Sequence, residues 1–442
     1  MQIRSLRLGA ATNSSSTHSV LWTGAQLSDA VLMDGDGDTY GWDHFILVSD
    51  EEKEKYLEAQ WNTSALSWDE CEQGGLARVD HQSAWTWPHK DGKPDRRVFD
   101  IVKRELLKDG VVVFGGNDGS EPPDAKNGRK IPLFEILEGG HMVSIREDPK
   151  GWITVLAPYT YSAPTGIKIR MGDVEPIKSS TPELVDIKIT DYCAAGCKFC
   201  YQGSTEEGRH ATSKALGDSV QILRELEVME VALGGGEPME HPRLQEYTKI
   251  LNDAGIVVNV TTRHNMRGVS RWERHDKYPH INKFGVSINS AKMIDRYADV
   301  CYHVVLGTLP MSEVYNILMK APSVLLLDFK TTGRGASGPT HDYSNWLEVA
   351  RAVVHNRRQT RDEWDDSNWQ VGIDTPLAKR FATELEEIGI PEVLFETEEG
   401  KHSAYWDLVK GEFGPCSYDP ESMVKVPKQA NAQWFRDTFL RW

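Results

Sequence analysis

The sequence is poor in several things that would have pointed elsewhere. It has six cysteines in 442 residues, and Cys71, Cys301 and Cys416 stand too far apart to read as a disulfide framework, so a reducing, cytoplasmic compartment is expected. No apolar run reaches the length that spans a bilayer, and Met1-Gln2-Ile3-Arg4-Ser5 lacks the apolar core of a signal peptide, so no membrane partner is expected either. Positive charge is scarce: 50 Lys and Arg stand against 66 Asp and Glu, for a net charge of -16. That balance argues against a generic polyanion binder, because nonspecific nucleic-acid affinity rests on Lys and Arg neutralising phosphates. A local basic patch stays open, the densest stretch being Arg263, His264, Arg267, Arg271, Arg274, His275 and Lys277, which reads first as a solvated face.

With 39% hydrophobic and 26% charged residues, the composition is that of a globular protein of two domains or one elaborated barrel. After Pro182 the rhythm alternates strand and helix, the mark of βα units and a parallel sheet. Strands are expected at 185–190, 231–234, 257–262, 284–289, 302–307, 324–329 and 370–374. Helices are expected at 213–226, 244–254, 293–297, 313–320 and 346–356. Six or seven such units imply an α/β chain with a partial TIM-like (β/α)6 barrel over residues 183–395. It is preceded by an α+β N-terminal domain over residues 1–180, a substrate-binding element or lid, and followed by a tail of hairpin and helix over residues 396–442.

The first strand runs into Asp191-Tyr192-Cys193-Ala194-Ala195-Gly196-Cys197-Lys198-Phe199-Cys200-Tyr201. Three thiols within eight residues can wrap one corner of a metal cluster. No fourth ligand lies nearby, whereas a closed structural zinc site takes four; a zinc or redox loop is the competing reading. Cys-x3-Cys-x2-Cys with an aromatic residue before the last cysteine resembles the signature of the radical S-adenosylmethionine (radical SAM) superfamily. The resemblance implies that Cys193, Cys197 and Cys200 hold a 4Fe-4S cluster whose fourth iron chelates S-adenosylmethionine, with Tyr201 among the cofactor-binding positions. The family's core is also a six-unit partial barrel.

One βα unit later comes Leu233-Gly234-Gly235-Gly236-Glu237-Pro238. Glycines let a backbone approach a ligand closely, and the βα repeat puts this loop on the same barrel face as the cysteines. It resembles the Gly-Gly-Glu-Pro motif by which the family holds the methionine amino group, which makes Gly234, Gly235, Gly236 and Glu237 cofactor-binding candidates. The family's fourth strand contacts the ribose and carboxylate, which implies the same role for Ser287 and Asn289. Strands buried on both faces should be nearly continuous Val, Ile and Leu. The polar interruptions, which include Lys188, Asn259, Thr261, His303 and Asp374, therefore point to a site, with Lys330 and Asp328 as substrate-side candidates.

The resemblance implies reductive cleavage of S-adenosylmethionine, hydrogen abstraction by a 5'-deoxyadenosyl radical, and a flavodoxin- or ferredoxin-type electron donor. The substrate is an organic molecule of open class: the N-terminal aromatics and the basic stretch suggest a nucleotide or modified base, the large N-terminal region and hairpin-like tail a peptide. The alternative is a non-catalytic iron-sulfur binding or sensing protein on the same fold.

Other features carry plainer readings. Asn13 to Ser19 is a hydroxyl-rich turn segment; Asp34-Gly35-Asp36-Gly37-Asp38 imitates a calcium loop but has Thr39 and Phe45 where glycine and glutamate are needed. His81, Trp85, Trp87 and His89 read as aromatic packing, and 115–128 as a long loop and candidate lid. In the tail, the hairpin and the Pro415-Cys416 turn resemble the segment after the barrel in several radical SAM branches. Cys416 stands alone there, so no auxiliary cluster is expected.

Overall fold

The computed structural model describes residues 2–8, 11, 18–23, 45–47, 50–78, 89–90, 93–94, 96–107, 113–115, 144–157, 167–172, 174–359 and 369–442. Residues 13–17, the aspartate run 34–38, His81, Trp85 and Trp87, and the loop 116–128 lie outside the described residues.

The N-terminal part holds β1 (Gln2–Leu8), β2 (His18–Thr23), β3 (Phe45–Leu47), α1 (Asp50–Ala65), α2 (Trp68–Gly74), β4 (His89–Lys90), β5 (Lys93–Pro94), α3 (Arg96–Leu106), β6 (Val113–Gly115), β7 (Ser144–Asp148), β8 (Trp152–Ala157) and β9 (Ile167–Gly172). A four-stranded sheet has the order β1-β9-β8-β7. Its polar face meets the barrel at Glu183, which accepts hydrogen bonds from Thr154 Oγ1 at 2.7 Å and Arg170 Nε at 3.0 Å, and pairs with Lys168 Nζ at 2.8 Å. Burial opposes ionisation of Glu183, but the Arg170 and Lys168 charges outweigh it and hold the carboxyl well below its usual range.

The barrel strands are β10 (Leu184–Thr190), β11 (Glu230–Gly235), β12 (Val257–Thr262), β13 (Lys283–Ser287), β14 (Val300–Val305), β15 (Ser323–Leu327) and β16 (Gln370–Asp374). The helices after them are α4 (Ser213–Glu225), α5 (Leu244–Asp253), α6 (Arg271–Lys277), α7 (Met311–Lys320), α8 (Trp346–Gln359), α9 (Thr375–Arg380) and α10 (Ala382–Glu387). The tail supplies β17 (Ser403–Asp407), β18 (Glu412–Gly414), β19 (Val424–Lys425) and α11 (Ala432–Phe439). One eleven-stranded sheet runs β19-β18-β17-β10-β11-β12-β13-β14-β15-β16-β2. All seven expected barrel strands are present, parallel and in chain order.

Strand β10 shows why the pattern works. Every residue in it is buried, and side chains alternate between faces. Val185, Ile187 and Ile189 pack in the main core with Leu216, Val220 and Leu223 of α4. Those α4 residues recur at helical spacing, and Thr212 caps the helix by accepting from Ala215 N at 3.2 Å. Asp186, Lys188 and Thr190 take the other face, toward the barrel interior.

Two departures from the sequence-based expectations have physical reasons. The hairpin at Ser403 is also a barrel strand: β17 lies parallel to β10, with Asp186 opposite Tyr405, and β2 adds antiparallel to β16 at the other edge. The expected helix at 293–297 is only a 3-10 turn, Ala291–Met293. There Ser290 caps Lys292 N, and Asp295 Oδ1 accepts from Tyr297 N at 3.0 Å, so side chains satisfy the backbone that a helix would have used.

The N-terminal end of the barrel is plugged. Arg7 Nη2 lies 2.6 Å from Glu230 Oε2, while Ala11 N and Asn259 Nδ2 donate to Glu230 Oε1 at 2.9 and 2.8 Å. With that end closed by a buried ion pair, the cavity opens at the C-terminal ends of the strands, where barrel enzymes assemble their sites.

Candidate active site

The cysteine loop leaves β10 at Asp191 and is tied back on itself: Asp191 N donates to Arg209 O at 2.8 Å and Cys193 N to Thr205 O at 2.9 Å. Gly196 makes the turn between the first two thiols at φ 60°, a conformation that favours glycine. Cys193 is buried; Cys197 and Cys200 are partly exposed. Burial pushes the Cys193 thiol up, with Glu237 adding to the rise.

The glycine motif is zipped onto this loop by backbone alone. Gly236 N donates to Thr190 O and Glu237 N to Tyr192 O, both at 2.7 Å. A Cβ on Gly236 would stand 2.0 Å from Tyr192 O, and one on Gly235, at φ 117°, would stand 2.4 Å from Thr190 O. These glycines are therefore needed first for loop-on-loop contact. Glu237, only 3% exposed, is fully occupied through its carboxylate: Oε1 accepts from Thr262 Oγ1 at 2.6 Å and Met239 N at 3.1 Å, and Oε2 from Arg263 N at 2.8 Å.

A third loop, following β15, locks the cysteine loop from the other side. Arg334 N donates to Cys200 O at 2.9 Å and Arg334 Nε to Cys197 O at 2.8 Å. Gly333, at φ 54°, has room for no side chain, since a Cβ would meet Tyr201 O at 2.3 Å. The tail contributes as well, with Tyr201 Oη 3.0 Å from Ser417 Oγ.

These loops surround a cavity of about 140 Å³ lined by Cys193, Cys197, Cys200, Tyr201, Gly235, Gly236, Glu237, Ser287, Asp328 and Lys330, together with Thr261, Thr262, Arg263 and His303. Of the positions singled out from sequence, Gly234 and Asn289 are not among its lining residues. Gly234 sits within β11 opposite Lys188, and Asn289 is exposed past the end of β13, with Ile288 on the wall instead.

Behind Lys330 lies a pocket of acids. Its ammonium is 3.8 Å from Asp374 Oδ2 and stands over the Tyr201 and Tyr418 rings at 4.9 and 5.0 Å. Burial raises the Asp374 carboxyl to about 6, with Lys330 opposing, and raises Glu399 to about 8 with the same opposition. Asp186, buried on β10, is also raised well above its usual range by burial and by Glu399. Burial pushes the His303 imidazole down to about 3, aided by Lys330, so it stands neutral on the cavity wall. Asp328 has a different job: its Oδ1 accepts from Tyr343 Oη at 2.8 Å and from Arg380 Nη1 at 3.4 Å, at the rim.

Arg334, Glu399 and Tyr418 are not sequence candidates, and Arg263 enters there only as part of the basic stretch. Arg263 has a readable signal, since it directly follows β12 on the face where the site lies; the other three act behind the lining, Arg334 on the Cys197 carbonyl and Tyr418 and Glu399 behind Lys330, with no local trace in the sequence.

The donor set fits a cluster and its cofactor. Three thiols edge one cavity, Cys301 and Cys416 do not line it, and the narrow glycine cradle leaves the adjoining backbone within reach of a small ligand. Thiols spaced round a cavity suit a multinuclear cluster, in which each binds its own iron.

Residues 187–318 match the family model described as the radical SAM superfamily. No curated protein matches the sequence. Among solved structures the chain is similar to Streptococcus suis SuiB bound to precursor peptide SuiA, at 13% identity over 55% of this chain and 61% of that one, TM-score 0.40. It is similar to anSMEcpe with bound AdoMet, at 11% identity over 57% and 80% of the two chains, TM-score 0.40. It is also similar to BtrN in complex with AdoMet and 2-DOIA, at 12% identity over 59% and 85%, TM-score 0.30. The match thus spans less than two thirds of the SuiB chain.

Proposed function

We propose, from the match of residues 187–318 to the radical SAM superfamily model, whose members use a 4Fe-4S cluster and S-adenosylmethionine, that this chain is an enzyme that binds both at the Cys193 cavity and acts on an organic substrate by hydrogen abstraction. When bound, the pair supplies reductive cleavage of a carbon-sulfur bond and a carbon-centred radical that takes a hydrogen atom from an unactivated position. The observation that carries the reading is the backbone zipper between the cysteine loop and Gly235-Gly236-Glu237, which brings three thiols and a glycine turn onto one cavity wall.

In this reading Cys193, Cys197 and Cys200 hold the cluster. Gly235 and Gly236 present backbone to the methionine end of the cofactor, and Glu237, its carboxylate already spent on Thr262 and Arg263, orients that backbone. Ser287 and Tyr201 line the cofactor's side. Lys330 and Asp328 face the substrate, with the neutral His303 on the same cavity wall. The protein's remaining work is exclusion: so reactive a radical attacks whatever is nearest, and the plugged barrel end at Arg7 and Glu230 keeps water from entering behind the substrate. An external one-electron donor of flavodoxin or ferredoxin type completes the scheme, and a nucleotide or a peptide is the substrate class.

Cluster loading tests the ligand assignment. Replacing Cys193, Cys197 or Cys200 singly by alanine should abolish iron and sulfide incorporation on anaerobic reconstitution, while Cys301→Ala and Cys416→Ala should load like the parent. Equal loading in all five variants would remove the cluster from this loop.

A further inference from the structure

The middle cysteine is gripped by two arginines. Arg263 Nη1 lies 2.7 Å from Cys197 Sγ, and Arg334 Nε lies 2.8 Å from the Cys197 carbonyl oxygen. Neither guanidinium is paired with a carboxylate among the described residues, in a chain whose net charge is -16. The Arg263 guanidinium also has a firm root, because its backbone N–H is held at 2.8 Å by Glu237 Oε2 and the neighbouring Thr262 hydroxyl by Glu237 Oε1. A cation placed this deliberately on a sulfur, with no acid to neutralise it, has the thiolate as its counter-charge.

We propose, resting on the reading above, that Arg263 is a positioning residue that sets the reduction potential of the cluster by donating a charged hydrogen bond to the Cys197 sulfur. Adding an electron adds negative charge to the cluster, and that charge spreads onto the ligand sulfurs. A fixed positive donor at one sulfur stabilises the reduced form more than the oxidised form, which raises the potential and eases reduction by an external donor. Arg334 acts on the same residue through the main chain: it fixes the Cys197 peptide, so that the sulfur stays within reach of Arg263. The arrangement links three strand ends, since β10 carries the sulfur, β11 carries Glu237 and β12 carries the arginine.

The test is an EPR-monitored redox titration of the reconstituted full chain, comparing the parent with Arg263→Gln and Arg263→Lys. Iron, sulfide and S-adenosylmethionine binding are measured on the same samples. At a fixed ambient potential the Gln variant should hold roughly tenfold less reduced cluster, a downward shift of about 59 mV for one electron, and the Lys variant should fall between it and the parent. Loaded variants that titrate with the parent would overturn the proposal. An unmoved potential with weakened S-adenosylmethionine binding would do the same and make Arg263 a cofactor ligand instead. A parent chain that takes up no cluster would sink the function proposed above, whereas a loaded parent with unmoved variants would sink only this inference. The Lys variant keeps the charge and most of the side-chain volume, so it decides the matter should the Gln variant fail to load.

Discussion

At the scale of single residues, steric need and buried charge make the sharpest demands. Gly236 has no room for a methyl group, with Tyr192 O 2.0 Å from where its Cβ would stand. Gly236→Ala should therefore detach the glycine loop from the cysteine loop. We expect iron content after reconstitution to fall severalfold while far-UV circular dichroism stays near that of the parent; full loading would show that the contact is dispensable. Glu399 makes a demand of another kind. Its Oε2 is sealed from solvent without a hydrogen-bond partner, and burial raises the carboxyl from 4.5 to about 8. Between those values the folded chain binds more protons at this group than the unfolded chain does, so the stability it contributes is lost as pH rises from about 4.5 toward 8. The thermal midpoint should be higher at pH 6 than at pH 8.5, and the gap should narrow in Glu399→Gln; an unchanged gap would contradict the assignment. How much of the site can be read from sequence divides along the same line. The cysteines and glycines declare themselves because their work is done within a few residues of one another. Arg334 reaches Cys197 across 137 positions, and Glu399 belongs to a tail whose local pattern says nothing of a buried acid.

Among the secondary-structure elements, the barrel strands were legible because each is buried on both faces and reads as an apolar run with polar residues only where the interior needs them. Strand β17 was not, since Ser403-Ala404-Tyr405-Trp406-Asp407 has the same pattern whether it pairs only with β18 or also with β10. Its double role makes the tail part of the barrel wall. Trp406, 6% exposed, packs against the Phe435 ring of α11 at 4.5 Å and meets the Phe413 ring of β18 edge-on at 6.3 Å. Trp406→Ala should cost about 3–5 kcal/mol in urea unfolding, and because β17 flanks the cysteine strand, it should also lower cluster retention. A cost under about 1 kcal/mol, the range of surface changes, would mean that the tail is only loosely attached. The shortened helix after β13 teaches the opposite lesson: an apolar-polar pattern over 293–297 yields to side chains that satisfy its backbone locally.

For the whole molecule, the Arg7–Glu230 pair joins the first described strand to the base of the barrel. Both side chains are almost fully buried, and breaking such a pair leaves an uncompensated charge, so Arg7→Met should destabilise the chain by about 3–5 kcal/mol. The double variant Arg7→Met with Glu230→Gln should recover part of that loss; no recovery would show that the guanidinium acts by packing alone. The zipped loops and Lys330, with the acids behind it, meet at one cavity at the C-terminal strand ends, opposite the plugged end, and the central proposal is that this cavity cleaves S-adenosylmethionine. The most direct measurement is made on the anaerobically reconstituted full chain with dithionite and S-adenosylmethionine, following 5'-deoxyadenosine by mass spectrometry beside Cys197→Ala. 5'-Deoxyadenosine should form with the parent, with none above background from the variant. No product from a parent with its cluster fully loaded would contradict the proposal and favour an iron-sulfur sensing role for the same fold.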